Sequence, residues 1–418
     1  MTYICIYFQV HQPNRLRKYT CFDFGHSHQY EDQEANCRIL RKVAEKCYLP
    51  TCALLLKLLE KYHGAFKVAF SLSGTFIDQC RRFSPETLHA FKKLAHTGEV
   101  EFLNETCHHS LSFLFSKNEF REQVQLHRKL ILQEFGYKAT TFRNTELIYN
   151  NALASEVESM GYRTILAEGA DRILDWRSPN FLYQPKGCKQ LHLLLRNYNL
   201  TDDIAFRFSN RSWVEYPLTA DKYASWIHSN CNADVINLFM DFETFGEHHW
   251  RDTGIFDFLE CLPQEILKNK NFAFARPHEV SDKLKPIANL DVSEYVSWAD
   301  MERDLTAWDG NDMQQDALRT IYGLERHVKA TNNRQLLETW RSLLTSDHFY
   351  YMCTKYDTDG DVHKYFNPYH NPYDAYINYQ NILHDLAIEV AKFNAHAGVK
   401  RKIVKILLTL KKLLTFSL

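Results

Sequence analysis

Over its first two-thirds the chain repeats one cadence: a short β-branched or aromatic run, a polar cluster, then a segment with helix-capping signals. The runs fall at residues 3–10, 66–72, 100–103, 140–142, 164–167 and 235–240. Each is short and apolar enough to be a strand buried on both faces. Between them, Ser84-Pro85-Glu86 offers an N-cap followed by proline at the first helical position. Ser116-Lys117-Asn118-Glu119 is a capping box whose helix should stop at Gly136. Strands alternating with helices imply parallel βα units and an α/β fold.

Polar residues follow every strand: His11-Gln12-Pro13, Ser73-Gly74-Thr75, Asn104-Glu105-Thr106 with His108-His109, Arg143 to Glu146, Glu168 to Asp171, and Asp241 to Gly246. A βα barrel brings the C-terminal ends of its strands to one mouth, where these groups from distant sequence would meet. An open doubly wound sheet also gathers strand ends, but the barrel is preferred. From about residue 312 strand signals vanish, and helical periodicity runs through 312–330, 332–345, 372–394 and 399–415. For a chain of 418 residues this predicts a catalytic barrel over 1–310 and a helical domain over 311–418.

A formal net charge of -1 gives no global field that favours nucleic acid, so a neutral ligand fits better. The aromatic fraction of 14% suits a sugar cleft, although large rings filling a big core account for most of it. The first residues lack a basic, cleavable leader and no apolar run reaches the length of a membrane span, which predicts a cytosolic protein. Eleven cysteines without C-x-x-C pairs argue against a disulfide framework or zinc ribbon.

Two carboxylates stand out. Glu146 follows a strand beside Arg143, whose charge would keep it ionised, as a nucleophile requires. Asp241 closes an apolar run, where partial desolvation raises a carboxyl pKa and suits a general acid. Glycoside hydrolysis uses such a pair.

The strings YFQVHQP, VEFLNET with HHSL, FRNTELIYN, FMDFETFGEHHW and SWADMERDLTAW resemble, in order, the five motif regions of glycoside hydrolase family 57, nearest its short α-amylase-like members. The likeness continues through Tyr350-Tyr351-Met352 and the string HKYFNP that begins at His363. It implies an incomplete (β/α)7 barrel followed by a helical domain, a retaining mechanism, and no metal or organic cofactor. By motif position Glu146 matches the family nucleophile and Asp241 its acid/base. His11 matches the histidine of the subsite where cleavage begins. Glu101 or Glu105, and Glu243, would hold sugar hydroxyls; Trp298, Asp300, Asp304 and Trp308 are candidates for the far side of the cleft, with Asp300 and Asp304 competing for one family aspartate. Gln12, His109 and Arg143 complete the expected substrate-binding set.

The implied substrate is an α-1,4-glucan or maltooligosaccharide, and the acceptor, water or sugar, separates an amylase from a 4-α-glucanotransferase or branching enzyme. Cys107, His108 and Asp309 depart from the aromatic residue or leucine expected in near relatives, which points to altered subsite preference. Members that lack a catalytic carboxylate would bind glycan silently, but both are present here.

Other patterns point less far. The His108-His109 and His248-His249 pairs suggest a metal-dependent hydrolase such as a polysaccharide deacetylase, yet adjacent histidines do not converge on one ion. Asp357-Thr358-Asp359-Gly360-Asp361 resembles a calcium loop but misplaces its glycine and lacks the closing glutamate. The basic and apolar tail from Val399 reads as a helix packing on its own domain ahead of a membrane-surface helix.

Overall fold

The computed structural model describes residues 1–355 and 367–415, with side-chain surroundings through residue 395. The described residues divide into two compact units: 1–13 and 33–307 make the first, 14–32, 308–355 and 367–415 the second.

Seven parallel strands form the wall of the first unit: β1 (Thr2–Val10), β2 (Val68–Leu72), β3 (Val100–Phe102), β4 (Thr141–Arg143), β5 (Thr164–Glu168), β6 (His192–Arg196) and β7 (Val235–Asp241). β1 pairs with β7 from Tyr3↔Val235 to Gln9↔Asp241, and with β2 from Tyr7↔Ala69 to Val10↔Leu72. β2 pairs with β3, and β4–β5–β6 form a second ladder. The two ladders meet at both edges. Asn104 bridges to β4, donating its N–H to Thr141 O at 3.0 Å and accepting from Arg143 N at 2.8 Å. On the other side Asn197 N donates to Asn237 O, and the Asn237 amide to Leu195 O, each at 2.9 Å. An eighth strand, β8 (Phe272–Phe274), lies beside the start of β1. The unit is an incomplete (β/α)7 barrel.

Cys5, Tyr7, Ala69, Leu166, Leu194, Val235 and Phe239 point inward and pack into one cluster with Leu103 and Leu147, so the interior is filled and has no pore. Alternate residues, Phe142, Ile165, Leu193 and Leu195, face outward onto helix residues Phe120, Val124, Leu153 and Val157. A polar ring can therefore lie only on top of this plug, at the rim.

Six of the seven strands coincide with the apolar runs to within two residues at each end. The exception, β6, is leucine-rich and lacks the β-branched signature; pairing with β5, β7 and Tyr183 makes it extended. The capping predictions hold: helices cover Pro85–His96 and Lys117–Phe135, the latter stopped by Gly136 at φ 65°.

The second unit is helical. The stretch expected as one helix over 312–330 is broken after Gly323 into Asp312–Gly323 and Glu325–Ala330. The two helices expected at 372–394 and 399–415 are one, Pro372–Thr415, because an interior Gly398 costs only about 1 kcal/mol. The unit also takes in residues 14–32, tied to the long helix where buried Asp385 accepts from Tyr30 Oη (2.7 Å) and Gly25 N (2.8 Å). The calcium-like stretch from Asp357 and the first four residues of the HKYFNP string lie outside the described residues. So do the surroundings of the basic tail's side chains. Among the described residues no helix is long and apolar enough to cross a membrane.

Candidate active site

Glu146 sits one short step past β4 with backbone φ 56° and ψ 27°, followed by Leu147 at φ 51°. Two consecutive left-handed residues that are not glycine cost on the order of 1–3 kcal/mol each and persist only where surroundings enforce them. Here two neighbours do so. Beyond the turn, Tyr149 exchanges both backbone hydrogen bonds with Val296, at 2.9 Å each. That pairing lays residues 296–298 along the turn, and Trp298 Nε1 donates to Glu146 Oε2 at 2.7 Å. From the other side Thr145 Oγ1 donates to Ser110 O (2.8 Å) and lies 2.9 Å from Thr106 Oγ1, drawing in the loop that carries His109.

His109, itself at φ 51°, donates through Nε2 to Glu146 Oε1 (2.9 Å) and through Nδ1 to Glu105 Oε2 (2.8 Å). Burial opposes a charge on this ring, but the two carboxylates prevail and lift its pKa to about 9, so it is an imidazolium at neutral pH. Burial alone would raise Glu105; His109, Arg143 and His127 instead bring it down to about 2. His127 donates Nε2–H to Leu72 O (2.8 Å), which leaves Nδ1 to accept from the Asn104 amide (2.9 Å) and from Glu105 N (3.3 Å). His11 stacks on His109 with ring centroids 4.0 Å apart, and its Nδ1 lies 2.7 Å from Ser73 Oγ.

Asp241 ends β7 opposite Gln9. Burial first, and the nearby charge of Glu146 second, push its pKa up to about 6 against the pull of Arg143, Arg196 and His109. The rim thus holds two carboxyl groups in opposed settings. Glu146 accepts from His109, a cation, and from Trp298. Asp241 is desolvated and feels a neighbouring negative charge.

Beside Asp241, burial and then Asp241 itself raise Glu243 to about 8. Tyr48 Oη donates to it through a short hydrogen bond and accepts from Gln12 Nε2 at 3.0 Å. Tyr48 closes a π-helical turn, Ala44–Tyr48, a geometry often found at functional sites. That turn is pressed onto the loop after β7. Cys47 Sγ donates to Phe242 O (3.3 Å) and Thr51 Oγ1 to Phe245 O (3.0 Å). Gly246 lies at φ +112°, and a Cβ there would stand 2.1 Å from Lys46 O. Gly246→Ala is therefore expected to destabilise the protein by about 2–4 kcal/mol in urea unfolding, through backbone strain and a clash with backbone that cannot swing aside.

The rim brings together Glu146, Asp241, His11, His109, Trp298, Gln12 and Glu243. Other expected substrate contacts are corrected by their surroundings. Glu101 is fully buried in the middle of β3, accepting from Thr141 Oγ1 (2.5 Å) and from His278 N and Nδ1 (3.1 and 2.8 Å), so it braces the wall. Glu105 is equally buried and its charge is spent on His109. Arg143 is also buried, under Trp298. Asp304 caps the helix Thr306–Asp309 through Thr306 N (2.8 Å) and Thr306 Oγ1 (2.5 Å), while Asp300, half-buried at φ 54°, shares the loop of Trp298. Trp308 belongs to the core of the second unit, 1% exposed and edge-on to Tyr350, with no face open to a sugar.

Tyr48, His127 and Arg196 were not singled out from sequence. A neutral tyrosine and histidine within helical segments carry no signal there, and Arg196 sits on the strand that was missed. Arg196 donates Nε–H to Phe239 O (2.8 Å) and Nη1–H to Glu168 (3.2 Å), riveting β5, β6 and β7 beneath the rim.

The His109 links predict a pH signature in stability. Its folded pKa of about 9 exceeds the ordinary 6.5, so its contribution is complete below about 6.5 and lost as pH rises through 9. Glu105, depressed to about 2 from 4.5, contributes above 4.5 and loses its share as pH falls through 2. The excess stability of the wild type over His109→Gln, measured in urea, should hold between pH 4.5 and 6.5 and shrink steadily toward pH 9.5.

A family model for glycosyl hydrolase family 57 matches residues 5–293. A Methanocaldococcus jannaschii protein named "Putative alpha-amylase" is 46% identical over 392 residues, covering 90% of this chain and 82% of its own. Among solved structures, the GH57-type branching enzyme from Pyrococcus horikoshii aligns over 87% of each chain with a TM-score of 0.67 and 15% identity. The 4-alpha-glucanotransferase from Thermococcus litoralis aligns over 87% of this chain with a TM-score of 0.57 and 14% identity, and this chain spans only 54% of that one. At such identities the solved structures speak for the fold alone.

Proposed function

The chain belongs to glycosyl hydrolase family 57, and we propose that it is a retaining hydrolase of α-1,4-glucans in which Glu146 attacks the anomeric carbon and Asp241 acts first as acid, then as base. The observation that carries this reading is the opposed setting of the two carboxyl groups on one rim: Glu146 accepting from His109 and Trp298, Asp241 pushed up to about 6. Double displacement asks for that division of labour.

Protonated Asp241 gives its proton to the glycosidic oxygen as Glu146 displaces it, forming a β-linked glucosyl ester. His109 and Trp298 donate to Glu146 from two directions, so the carboxylate is oriented before the sugar arrives. Asp241, now an anion, takes a proton from water, which opens the ester and restores the α configuration. The imidazole of His11, stacked on His109, is the natural donor or acceptor for a hydroxyl of the ring being cleaved.

Hydrolysis is favoured over transfer by the name of the 46% identical relative. Incubation with maltoheptaose tests this. Shorter sugars alone, released as α-anomers and unaffected by EDTA, are expected. Longer products would instead mean glucanotransfer, new α-1,6 links branching, and binding with turnover no greater than that of Glu146→Gln a silent glycan receptor.

A further inference from the structure

Arg143 stands at the end of β4, three residues before Glu146, yet its side chain has no access to solvent. Among the described residues none accepts a hydrogen bond from its guanidinium nitrogens. The ion pair with Glu105 is long, at 4.0 Å, and Glu105 is already bonded to His109. This buried cation has the charges of Glu105 and Asp241 near it but no hydrogen bond among the described residues, and the face of the Trp298 ring packs against it: the guanidinium carbon lies 4.8 Å from the ring centroid. Arg196 approaches the same ring at 5.9 Å but is fixed by Phe239 and Glu168. Trp298 in turn donates Nε1–H to Glu146 Oε2 at 2.7 Å and its backbone N–H to Glu146 O at 3.2 Å.

We infer that Arg143 is a positioning residue: packed on the Trp298 ring, it fixes the tilt of the indole and so keeps the N–H aimed at Glu146. His109 holds one oxygen of the Glu146 carboxylate, Oε1, and the indole holds the other, Oε2. An indole that orients the carboxylate must keep its own plane, and a ring on a loop needs something beneath it to do so. The catalytic consequence rests on the reading of Glu146 as nucleophile; the packing relation does not.

The test reads both. In protein labelled with 15N at tryptophan, Trp298→Phe identifies the Trp298 indole N–H resonance by its disappearance, and Glu146→Ala shows where it moves once the carboxylate is gone. Arg143→Met should shift that resonance toward the Glu146→Ala position. Arg143→Lys, which keeps the charge but not the flat face, should shift it part of the way, and it carries the test if the methionine variant does not fold. In turnover of maltoheptaose, Arg143→Met and Trp298→Phe should each lower kcat about 10- to 100-fold with little change in KM. Adding Arg143→Met to Trp298→Phe should cost less than about twofold more, because both act through one hydrogen bond. An unmoved indole resonance in folded Arg143 variants, or losses that multiply in the double variant, would overturn the inference while leaving Glu146 as nucleophile. An indole that follows Arg143 in a protein whose Glu146→Ala variant keeps full activity would keep the packing relation and sink the proposed function.

Discussion

Replacing Glu146 with alanine is expected to lower kcat/KM on maltooligosaccharides by at least about a thousandfold, since it removes the group proposed to form the covalent intermediate. The more telling result comes on adding azide. The vacated space lies on the side of the sugar opposite the leaving group, so azide entering there, with Asp241 still present as acid, should restore turnover and yield the β-glucosyl azide. In Asp241→Ala the order reverses. Glu146 still forms the β-linked ester from a substrate with a good leaving group, and azide then opens it to the α-glucosyl azide. The pair of products assigns the two roles by stereochemistry, independently of how far either variant slows. Matching azides from both variants would mean the roles are not divided as proposed.

Asp241→Asn is expected to cost about 10²–10⁴-fold on α-1,4-glucans, whose leaving group needs a proton, and far less on the first step with aryl glucosides that depart unaided. The same group should set the alkaline limb of kcat/KM. Burial and Glu146 raise Asp241 to about 6, and the protonated form is the active one. Activity therefore holds below about pH 6 and falls about tenfold per unit above it, and this limb should vanish in Asp241→Asn. A limb near 8 would point to Glu243, which burial and Asp241 hold at about that value.

The barrel was legible in the sequence because a parallel strand buried on both faces must be an unbroken apolar run, and six such runs announce themselves. β6 did not, since leucine carries no preference for extended backbone, and it is pairing with β5, with β7 and with Tyr183 that holds it so. The rim was legible as polar clusters after strands, and Glu146 and Asp241 as the carboxylates best placed within them. What one sequence does not carry is depth. Glu101 and Glu105 are four residues apart and look alike, but the first ends against Thr141 and His278 in the wall and the second beneath His109. Trp298 and Trp308 look equally suited to a sugar; one reaches Glu146 and the other fills the helical unit. Tyr48 was invisible because its approach to Glu243 depends on a π-helical turn that no local pattern signals.

The central claim is a covalent glucosyl ester on Glu146. A 5-fluoro-α-glucosyl fluoride, whose anomeric fluoride leaves readily while the fluorine kept at C5 slows the second step, should accumulate that ester, and peptide mass spectrometry should find one added 5-fluoroglucosyl group on the fragment containing Glu146, absent from Glu146→Gln. A label on any other carboxylate, or full turnover releasing the β-anomer with no labelled peptide, would contradict the account.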